Sequence, residues 1–273
     1  MNLKLELLIC TIDEGIYKVP NILCKSLPYI SYLISWQHST EQKETIEIPQ
    51  EILDREDVKI VILHGKGLSA NRNHAITYAT GDILLLSDDD TRYCETFFQR
   101  IITSFIEYPQ ADIITFRGEN QEGNLLRRYS DVPYEYKKRP KKSYVCSWEI
   151  AYRKGSDIPK FDCRFGLGSD FLACGEEEVF IHQASQKGLI IYFIPKTIVI
   201  TNDNTTGNQF FTNPKVRYSK GAVLMLFYGY FSAVLRILKY ALIASKFNLR
   251  LSLSLFRDMY KGIQYIQKTN NRC

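Results

Sequence analysis

Apolar residues in the first 200 positions are grouped in short runs, and several of the segments between these runs have helical spacing. The runs that predict strands are "LELLICTI", "ISYLISW", "VKIVILH", "DILLLS", "ADIITF" and "LIIYFIP". The segments that predict helices are "SANRNHAITYATG", "CETFFQRIITSFIEY" and "EEEVFIHQASQKG". Because "DILLLS" has no polar alternation, we expect it to be buried on both faces. Strands that alternate with helices predict an α/β domain with a mostly parallel sheet and helices on both sides.

A different pattern follows after residue 205. Residues 221–235 form a run without any charge, and this run is shorter than the ~20 residues that a membrane-spanning helix needs. Six basic residues then recur at helical spacing: Arg236, Lys239, Lys246, Arg250, Arg257 and Lys261. One continuous helix would hold all six within an arc of roughly 80°. This pattern predicts a helical segment, 206–273, that lies on a membrane surface without crossing it. The alternative is a helix that packs on the preceding domain as part of its core.

Composition limits the possible partners. The chain has 273 residues, of which 45% are hydrophobic, and this is enough for one large α/β domain or two small ones. The net charge of +5 fits an anionic ligand or an anionic membrane surface. It is too small to indicate a nucleic-acid-binding protein.

The cysteines and the N-terminus predict the compartment. Seven cysteines are present, an odd number, and none are spaced as C-x-x-C. We therefore expect neither a disulfide framework nor a zinc site, and a reducing compartment fits better. The first ten residues lack the charged region and the uninterrupted apolar region of a secretory signal, so we expect a cytoplasmic location.

Three adjacent aspartates follow the run "DILLLS". Ligands bind at the carboxyl ends of strands in such sheets, and Asp88, Asp89 and Asp90 lie at one of these ends. Because side chains alternate in a strand, we expect Asp88 and Asp90 to share a face and Asp89 to point away. Two carboxylates together with substrate phosphates suit Mg²⁺ or Mn²⁺. The same pattern also fits an acidic turn in which Asp90 or Thr91 caps the next helix.

A second motif supports a different chemistry. Residues 65–70, "GKGLSA", fit the G-x-G-x-x-A fingerprint of dinucleotide-binding proteins, and an aspartate follows about 20 residues later. This hypothesis makes the protein an NAD(P)-dependent oxidoreductase. However, the fingerprint normally follows the first strand of the sheet, and a ribose ligand requires one acid rather than three.

A second acidic cluster begins a predicted helix. Glu176, Glu177 and Glu178 follow the glycine-rich "FGLGSDFLACG". Acidic residues at a helix start are favoured by the helix dipole alone. One of them is also a candidate general base for a hydroxyl group. The transfer of a group from a diphosphate to an alcohol requires a cation that binds the phosphates and a separate base that accepts the proton of the alcohol.

Taken in order, these segments resemble a known family. "TIDEG", "GLSANRNHAITYATGDILLLSDDD" and "FDCRFGLGSDFLACGEEEVFIHQASQKGLIIYFIP" are similar to the motifs of family 2 glycosyltransferases of the GT-A fold. The resemblance implies a GT-A, Rossmann-like mixed sheet over 1–205, with a nucleotide-sugar half, 1–115, and an acceptor half, 116–205. It implies transfer of a sugar, with inversion, from a nucleotide diphosphosugar to a hydroxyl group. The acceptor would be a saccharide or a lipid-linked molecule at the cytoplasmic face of a membrane, as in the synthesis of polysaccharides, lipid-linked oligosaccharides or glycolipids.

The resemblance also implies roles for individual residues. Asp88 and Asp90 match the D-x-D motif and would bind the ribose and a divalent metal, Mn²⁺ or Mg²⁺, with Asp89 as an alternative ligand. Glu177 would be the general base, and Glu176 is the alternative. The residues implied to bind the nucleotide sugar are Thr11, Asp13, Glu14, Ser69, Arg72, Asn73, Asp88 and Asp89.

The sequence departs from the family at one position. Many members have a histidine after the last core strand, whereas this chain has Asn202 and Asp203 there. Asp203 is the oxygen ligand that would take its place. Besides the oxidoreductase, a nucleotide-sugar-binding membrane protein without catalysis stays an alternative.

Overall fold

The computed structural model describes residues 3–39, 46–141, 143–202 and 206–269, so Asp203 lies outside the described residues. The chain forms two compact units. The first consists of Met1–Lys66, Ala70–Pro159 and Gln183–Asp203. The second consists of Gly67–Ser69, Lys160–His182 and Asn204–Cys273. Residues 160–182 thus group with the C-terminal helices, whereas the sequence placed them in the domain that ends at residue 205.

The first unit is built on one mixed sheet of eight strands, in the order β3-β2-β1-β4-β7-β5-β8-β6. The strands are β1 Leu5–Ile12, β2 Ile30–His38, β3 Val58–His64, β4 Ile83–Asp88, β5 Ile113–Glu119, β6 Tyr134–Glu135, β7 Ile150–Arg153 and β8 Ile191–Ile200. Strands β1 to β4 are parallel to one another, as are β5 and β8, whereas β7 is antiparallel to both β4 and β5. The predicted α/β class with a mostly parallel mixed sheet is confirmed.

The central strands are buried because their apolar runs have no polar alternation. All residues of β4 from Ile83 to Ser87 are buried, as expected for a strand covered on both faces. Cys10 of β1 lies opposite Asp88 of β4 and Ser35 of β2. The carboxyl ends of β1, β2 and β4 therefore lie side by side at one edge of the sheet, where a ligand site is expected.

Helices accompany the sheet in sequence. They are α1 Gln50–Leu53, α2 Leu68–Tyr78, α3 Glu95–Glu107 and α4 Glu176–Gln186. Helix α3 is amphipathic, and Phe98, Ile101 and Phe105 bury one face of it in the hydrophobic core of the first unit.

Three further helices dominate the second unit: α5 Pro214–Tyr228, α6 Tyr230–Ala244 and α7 Leu249–Lys268. One buried cluster of this unit joins Phe165, Leu172 and Val179 to Ala222 and Val223 of α5. The C-terminal helices consequently share a core with residues 165–179. No helix among the described residues is long and apolar enough to cross a membrane.

Two glycines allow α5 and α7 to pack closely. A Cβ atom at Gly221 would lie 1.8 Å from the carbonyl oxygen of Met259, and a Cβ atom at Gly262 would lie 1.8 Å from that of Tyr218. Both neighbouring atoms belong to backbone, so neither can move aside without separating the helices. The crossing of α5 and α7 requires glycine at both positions.

We expect Gly262→Ala to lower the free energy of unfolding by about 1–3 kcal/mol, because the added methyl group overpacks the crossing. Urea denaturation followed by circular dichroism measures the loss. Gln264→Ala is the matched control, since Gln264 is exposed on the same helix and its replacement should change stability by less than about 0.5 kcal/mol. Equal or greater stability of Gly262→Ala would contradict the close crossing.

The expected continuous C-terminal helix is wrong. The charge-free run is divided at Gly229, which has a φ of 73°. A second break separates α6 from α7 where Lys246 and Phe247 adopt positive φ values of 52° and 63°. Asn248 then caps α7, because its side chain accepts a hydrogen bond from the amide of Leu251. The six basic residues thus lie on two helices and the turn between them.

The cysteines differ from expectation at one position. Cys10, Cys24, Cys94, Cys146 and Cys174 form no disulfide. Cys163 is disulfide-bonded. A single disulfide is not the framework that the cysteine count argued against, and cysteine spacing does not reveal which distant residues meet.

Candidate functional site

The three aspartates do not share one strand. Strand β4 ends at Asp88, and Asp89 and Asp90 lie in the turn that follows. Thr91 closes this turn, since its hydroxyl group donates a hydrogen bond of 2.8 Å to the carbonyl oxygen of Asp88. The expectation that strand alternation puts Asp88 and Asp90 on one face is therefore wrong. Neither Asp90 nor Thr91 caps α3, whose first residue is Glu95 and whose N-cap is Cys94.

Asp88 is held by two neighbours. Its Oδ1 atom lies 3.0 Å from a guanidinium nitrogen of Arg72, and its Oδ2 atom accepts a 3.0 Å hydrogen bond from the Ser147 hydroxyl group. Arg72 is almost completely buried, at 1% exposure. A buried guanidinium remains charged, so its ion pair with Asp88 fixes that carboxylate at the end of the strand.

Asp89 has a different set of partners. Its Oδ2 atom accepts a 2.8 Å hydrogen bond from the hydroxyl group of Thr11, and its Oδ1 atom lies 3.3 Å from the Lys18 amino group. A Cβ atom at Gly15 would lie 2.4 Å from the Asp89 carboxylate, so only glycine permits this approach. Asp89 thus connects β4 to the loop that follows β1.

Asp90 is the exposed member of the group. Its carboxylate forms no ion pair with any described residue. Partial desolvation raises the pKa of Asp90, and the negative charges of Asp88 and Asp89 raise it further. A bound cation would remove this unfavourable interaction, so the residue fits a divalent metal ligand.

The described residues contain no group of three or more histidine, cysteine, aspartate or glutamate side chains that would hold a metal ion by themselves. In proteins, Mg²⁺ often takes one or two carboxylates and completes its coordination with water and substrate phosphates. Asp90, with Asp88 beside it, therefore fits a metal that binds together with a phosphorylated ligand.

The end of β1 and the loop after it carry the three residues expected to hold the base. Thr11 is buried, Asp13 is half-buried and Glu14 is exposed. Asp13 has a φ of 46°, and its carboxylate accepts a 2.8 Å hydrogen bond from the amide of Ser39. The indole nitrogen of Trp36 donates to the Asp13 carbonyl oxygen at 2.9 Å. Contacts with β2 and the residue after it therefore determine the shape of this loop.

Helix α2 supplies Arg72 and Asn73, and it also supplies a residue that the sequence did not single out. Asn71 is buried, and its side-chain nitrogen Nδ2 donates 3.0 Å hydrogen bonds to the backbone carbonyl oxygens of Thr11 and Ser35. Its amide oxygen accepts a 2.6 Å hydrogen bond from the Ser35 hydroxyl group. Asn71 thereby joins α2 to the ends of β1 and β2. Within "SANRNHA", sequence alone did not distinguish Asn71 from half-buried Asn73.

A buried ion pair supports the turn whose Ser147 hydroxyl group binds Asp88. Arg127 pairs with Glu149, which is 1% exposed, and the carboxylate also accepts a hydrogen bond from the Tyr129 hydroxyl group. The Arg127 guanidinium lies 4.5 Å and 4.3 Å from the ring centroids of Tyr129 and Tyr144. Desolvation raises the pKa of Glu149, and its three donors oppose this rise. Because arginine stays protonated and the carboxylate accepts from these donors, we treat the pair as ionised.

The ion pair and the aspartate site are joined by one short turn. Ser147–Glu149 form a 3₁₀ turn, and the amide of Cys146 donates a 3.0 Å hydrogen bond to the Glu149 carboxylate. This turn presents the Ser147 hydroxyl group to Asp88. No sequence motif identified Ser147, Glu149 or Arg127, since Ser147 meets Asp88, and Arg127 meets Glu149, from distant positions in the chain.

The second unit contains Ser69, Glu176 and Glu177. Ser69 is buried and donates a 2.8 Å hydrogen bond to the carbonyl oxygen of Phe165. A Cβ atom at Gly166 would lie 3.2 Å from both the carboxyl carbon of Glu176 and the Ser69 hydroxyl oxygen. Helix α4 begins at Glu176, which is 4% exposed, whereas Glu177 is partly exposed. Glu177 is thus the more accessible of the two candidate bases.

The structure therefore joins Thr11, Arg72, Asp88 and Asp89 through direct contacts within the first unit. Asp90 and the loop residues Asp13 and Glu14 belong to the same unit. Ser69, Glu176 and Glu177 belong to the other unit, and their expected roles stay predictions, as do those of the nucleotide-binding residues.

Comparison with known proteins supplies independent information. Residues 39–158 match the model of a family described as glycosyl transferase family 2. None of the curated proteins matches the sequence.

Solved structures with the same fold exist. The crystal structure of S. aureus TarS 1-349 has a TM-score of 0.59 and 15% identity, with 96% of this chain and 81% of that chain covered. The crystal structure of S. aureus TarS 1-349 in complex with UDP-GlcNAc has a TM-score of 0.56 and 14% identity. The match covers 96% of this chain and 82% of that chain. A longer TarS structure, with a TM-score of 0.52 and 16% identity, is covered over 54% of its length and 97% of this chain. At these identities the likeness concerns the fold.

Proposed function

Since residues 39–158 match the model of glycosyl transferase family 2 and the chain has the fold of the TarS structures, we propose that it transfers a sugar, with inversion, from a nucleotide diphosphosugar to an acceptor hydroxyl group. One observation carries the proposal. At the carboxyl end of β4, Asp88 and Asp89 are engaged by Arg72 and Lys18, while Asp90 stays exposed and unpaired among the described residues. This arrangement suits a cation that binds with a diphosphate.

The donor side of the reaction would use the first unit. Thr11, Asp13 and Glu14 would contact the base, and Arg72 and Asn73 would line the nucleotide pocket. Arg72 and Ser147 hold the Asp88 carboxylate in one orientation for the ribose. A divalent metal, which the family typically uses, would be held by Asp90 and Asp88 and would stabilise the negative charge of the departing diphosphate.

The acceptor side would use a general base. Glu177 would accept the proton of the acceptor hydroxyl group as its oxygen forms a bond to the anomeric carbon. The bond from that carbon to the diphosphate breaks on the opposite face, so the configuration inverts and the nucleoside diphosphate leaves. Glu176 is the alternative base, although its burial makes it less accessible to an acceptor.

The UDP-GlcNAc complex of TarS makes UDP-linked sugars the first donors to test. We propose a saccharide or lipid-linked acceptor, as in the synthesis of polysaccharides, lipid-linked oligosaccharides or glycolipids. Thermal unfolding of the full chain with UDP, GDP, UDP-GlcNAc and NADH, each with and without Mn²⁺, would identify the ligand class. A ligand at 100 times its dissociation constant stabilises by about 2.7 kcal/mol. Stabilisation by NADH alone would overturn the proposal.

The oxidoreductase alternative has little structural support. The "GKGLSA" fingerprint follows β3, and β3 is the edge strand of the sheet. Dinucleotides bind at the point where the strand order reverses, next to the central strands. Detection of a glycosylated product would exclude a protein that binds nucleotide sugars without catalysis.

We expect Asp90→Ala to abolish the Mn²⁺-dependent part of the stabilisation by UDP, because the variant lacks the exposed carboxylate that would ligate the metal. Without metal or nucleotide, its free energy of unfolding should change by less than about 0.5 kcal/mol, since Asp90 is exposed and forms no ion pair with a described residue. Glu95→Ala, an exposed carboxylate at the start of α3, is the control. An undiminished Mn²⁺ effect in Asp90→Ala would disprove the metal role.

A further inference from the structure

Helix α6 has an exposed apolar side. Phe231, Leu235 and Leu238 are 83%, 68% and 46% exposed, and their spacing of four and three residues puts them on one side of the helix. The opposite side is buried against α7 through Ala233, Ile237 and Ala241. The exposed side therefore contributes nothing to the core of the second unit.

The turn between α6 and α7 continues this apolar surface along the chain. Phe247 and Leu249 are 71% and 73% exposed, and Leu253, one helical turn after Leu249, is 63% exposed. Single exposed apolar residues are common on proteins, but large apolar side chains concentrated on one hairpin indicate an interaction site. We call Phe231, Leu235, Leu238, Phe247, Leu249 and Leu253 the docking surface.

The charge of this region is unlike that of the rest of the chain. Residues 206–273 contain 11 of the 35 lysines and arginines but only 1 of the 30 acidic residues, Asp258. Their net charge is +10, so the remaining residues, 1–205, carry −5. The docking surface lies within the part of the sequence where positive charge is concentrated.

Five exposed cations border the docking surface: Arg236, Lys239, Lys246, Arg250 and Arg257. None of them forms an ion pair with a described residue. No acidic residue occurs between Asp203 and Asp258, so this surface has no carboxylates of its own. Unpaired cations next to large apolar side chains are typical of helices that lie in the interface of an anionic membrane.

We propose that the α6–α7 hairpin docks on the surface of an anionic lipid bilayer. The apolar side chains would enter the boundary between headgroups and acyl chains, ~5–10 Å deep, and the five cations would lie near lipid phosphates. A symmetric contact with a second copy of this hairpin would bring like charges together without any acidic partner. An anionic bilayer satisfies both the apolar and the cationic features.

Co-sedimentation of the full chain with vesicles tests the proposal. We expect binding to vesicles of equimolar phosphatidylglycerol and phosphatidylcholine at about 0.1 M salt, and much weaker binding to phosphatidylcholine alone or at about 1 M salt, where the screening length falls to ~3 Å. One basic residue near the surface contributes about fivefold to partitioning. Joint replacement of Arg236, Lys239, Lys246 and Arg250 by Glu should reduce binding more than 100-fold.

Matched controls separate docking from general electrostatics. Four reversals to Glu at exposed lysines elsewhere, Lys25, Lys138, Lys154 and Lys160, change the net charge equally and should reduce binding far less. Phe231→Ser with Leu235→Ser keeps the charge and should reduce binding at least tenfold. The control double variant, Ile106→Ser with Leu53→Ser, changes exposed apolar residues of α3 and α1 and should leave vesicle binding unchanged. Urea denaturation of each variant checks that it is folded.

The outcomes are decisive. Absence of binding to anionic vesicles by the unaltered chain would overturn the proposal. Equal losses from the two sets of four charge reversals, or unchanged binding by the Phe231 and Leu235 double variant, would also overturn it. Self-association in sedimentation velocity that these two serine substitutions abolish, without vesicle binding, would assign the surface to a second copy of the chain instead.

Discussion

Replacement of Glu177 by Gln is expected to reduce turnover by a factor of about 10²–10⁴ while leaving donor binding intact. Glutamine has nearly the same shape as glutamate, but its amide cannot accept the proton of an acceptor hydroxyl group. The loss should therefore occur in kcat, with little change in the affinity for the nucleotide sugar. Turnover of a UDP-sugar and the donor-dependent shift in melting temperature measure the two quantities separately.

The neighbouring residues provide the controls for this prediction. Glu176 is buried and Glu178 is one residue further along the same helix, so Glu176→Gln and Glu178→Gln change the same chemical group at adjacent positions. A loss in Glu176→Gln with normal turnover in Glu177→Gln would move the base by one residue. Normal turnover in all three variants would rule out a base in this cluster.

Local sequence patterns were sufficient to predict the central part of the fold. The mostly apolar runs of β1, β2 and β4 form strands that are buried except at their last residue, as expected for strands covered on both faces. The same reasoning located the aspartates at the end of β4. It did not show that β3, which has a similar run, is an edge strand with Ile62 exposed, since an apolar run carries no information about strand order.

Periodicity failed where an element ends. The expected shared face of Asp88 and Asp90 assumed that β4 continues, but the hydroxyl group of Thr91 closes a turn directly after Asp88. The single basic stripe likewise assumed one helix through residues 245–248. Asn248 was a recognisable capping residue, but the positive φ values of Lys246 and Phe247 have no signal in the sequence, because neither residue type favours that conformation.

Contacts across the chain were beyond the reach of pattern analysis. Ser147 and Asp88 are 59 residues apart, and Asp89 meets Thr11 over a separation of 78 residues. Residues that form such pairs have no common motif, and their positions follow from the packing of the sheet. The sequence therefore identified the carboxylates of the candidate site but not the groups that hold them.

The second large effect concerns one of these supporting groups. We expect Glu149→Gln to lower the free energy of unfolding by about 3–5 kcal/mol, because it leaves the largely buried guanidinium of Arg127 without its carboxylate. Glutamine keeps the size of the side chain, so the loss reflects charge rather than packing. Urea denaturation measures it. Tyr129→Phe removes one neutral donor from the same carboxylate and should cost only about 1 kcal/mol.

A double variant distinguishes an uncompensated charge from damage to the turn. Arg127→Met combined with Glu149→Leu replaces the ion pair by apolar groups, a change that is often neutral in stability, so this variant should recover most of the loss. Recovery of stability need not restore the site, because the Glu149 carboxylate also accepts the amide of Cys146 and thereby holds the turn that presents Ser147 to Asp88. We therefore expect the double variant to be folded but to show a weaker donor-dependent increase in melting temperature. A double variant that is as unstable as Glu149→Gln alone would contradict the role of the ion pair, and full donor binding would show that Asp88 does not depend on this turn.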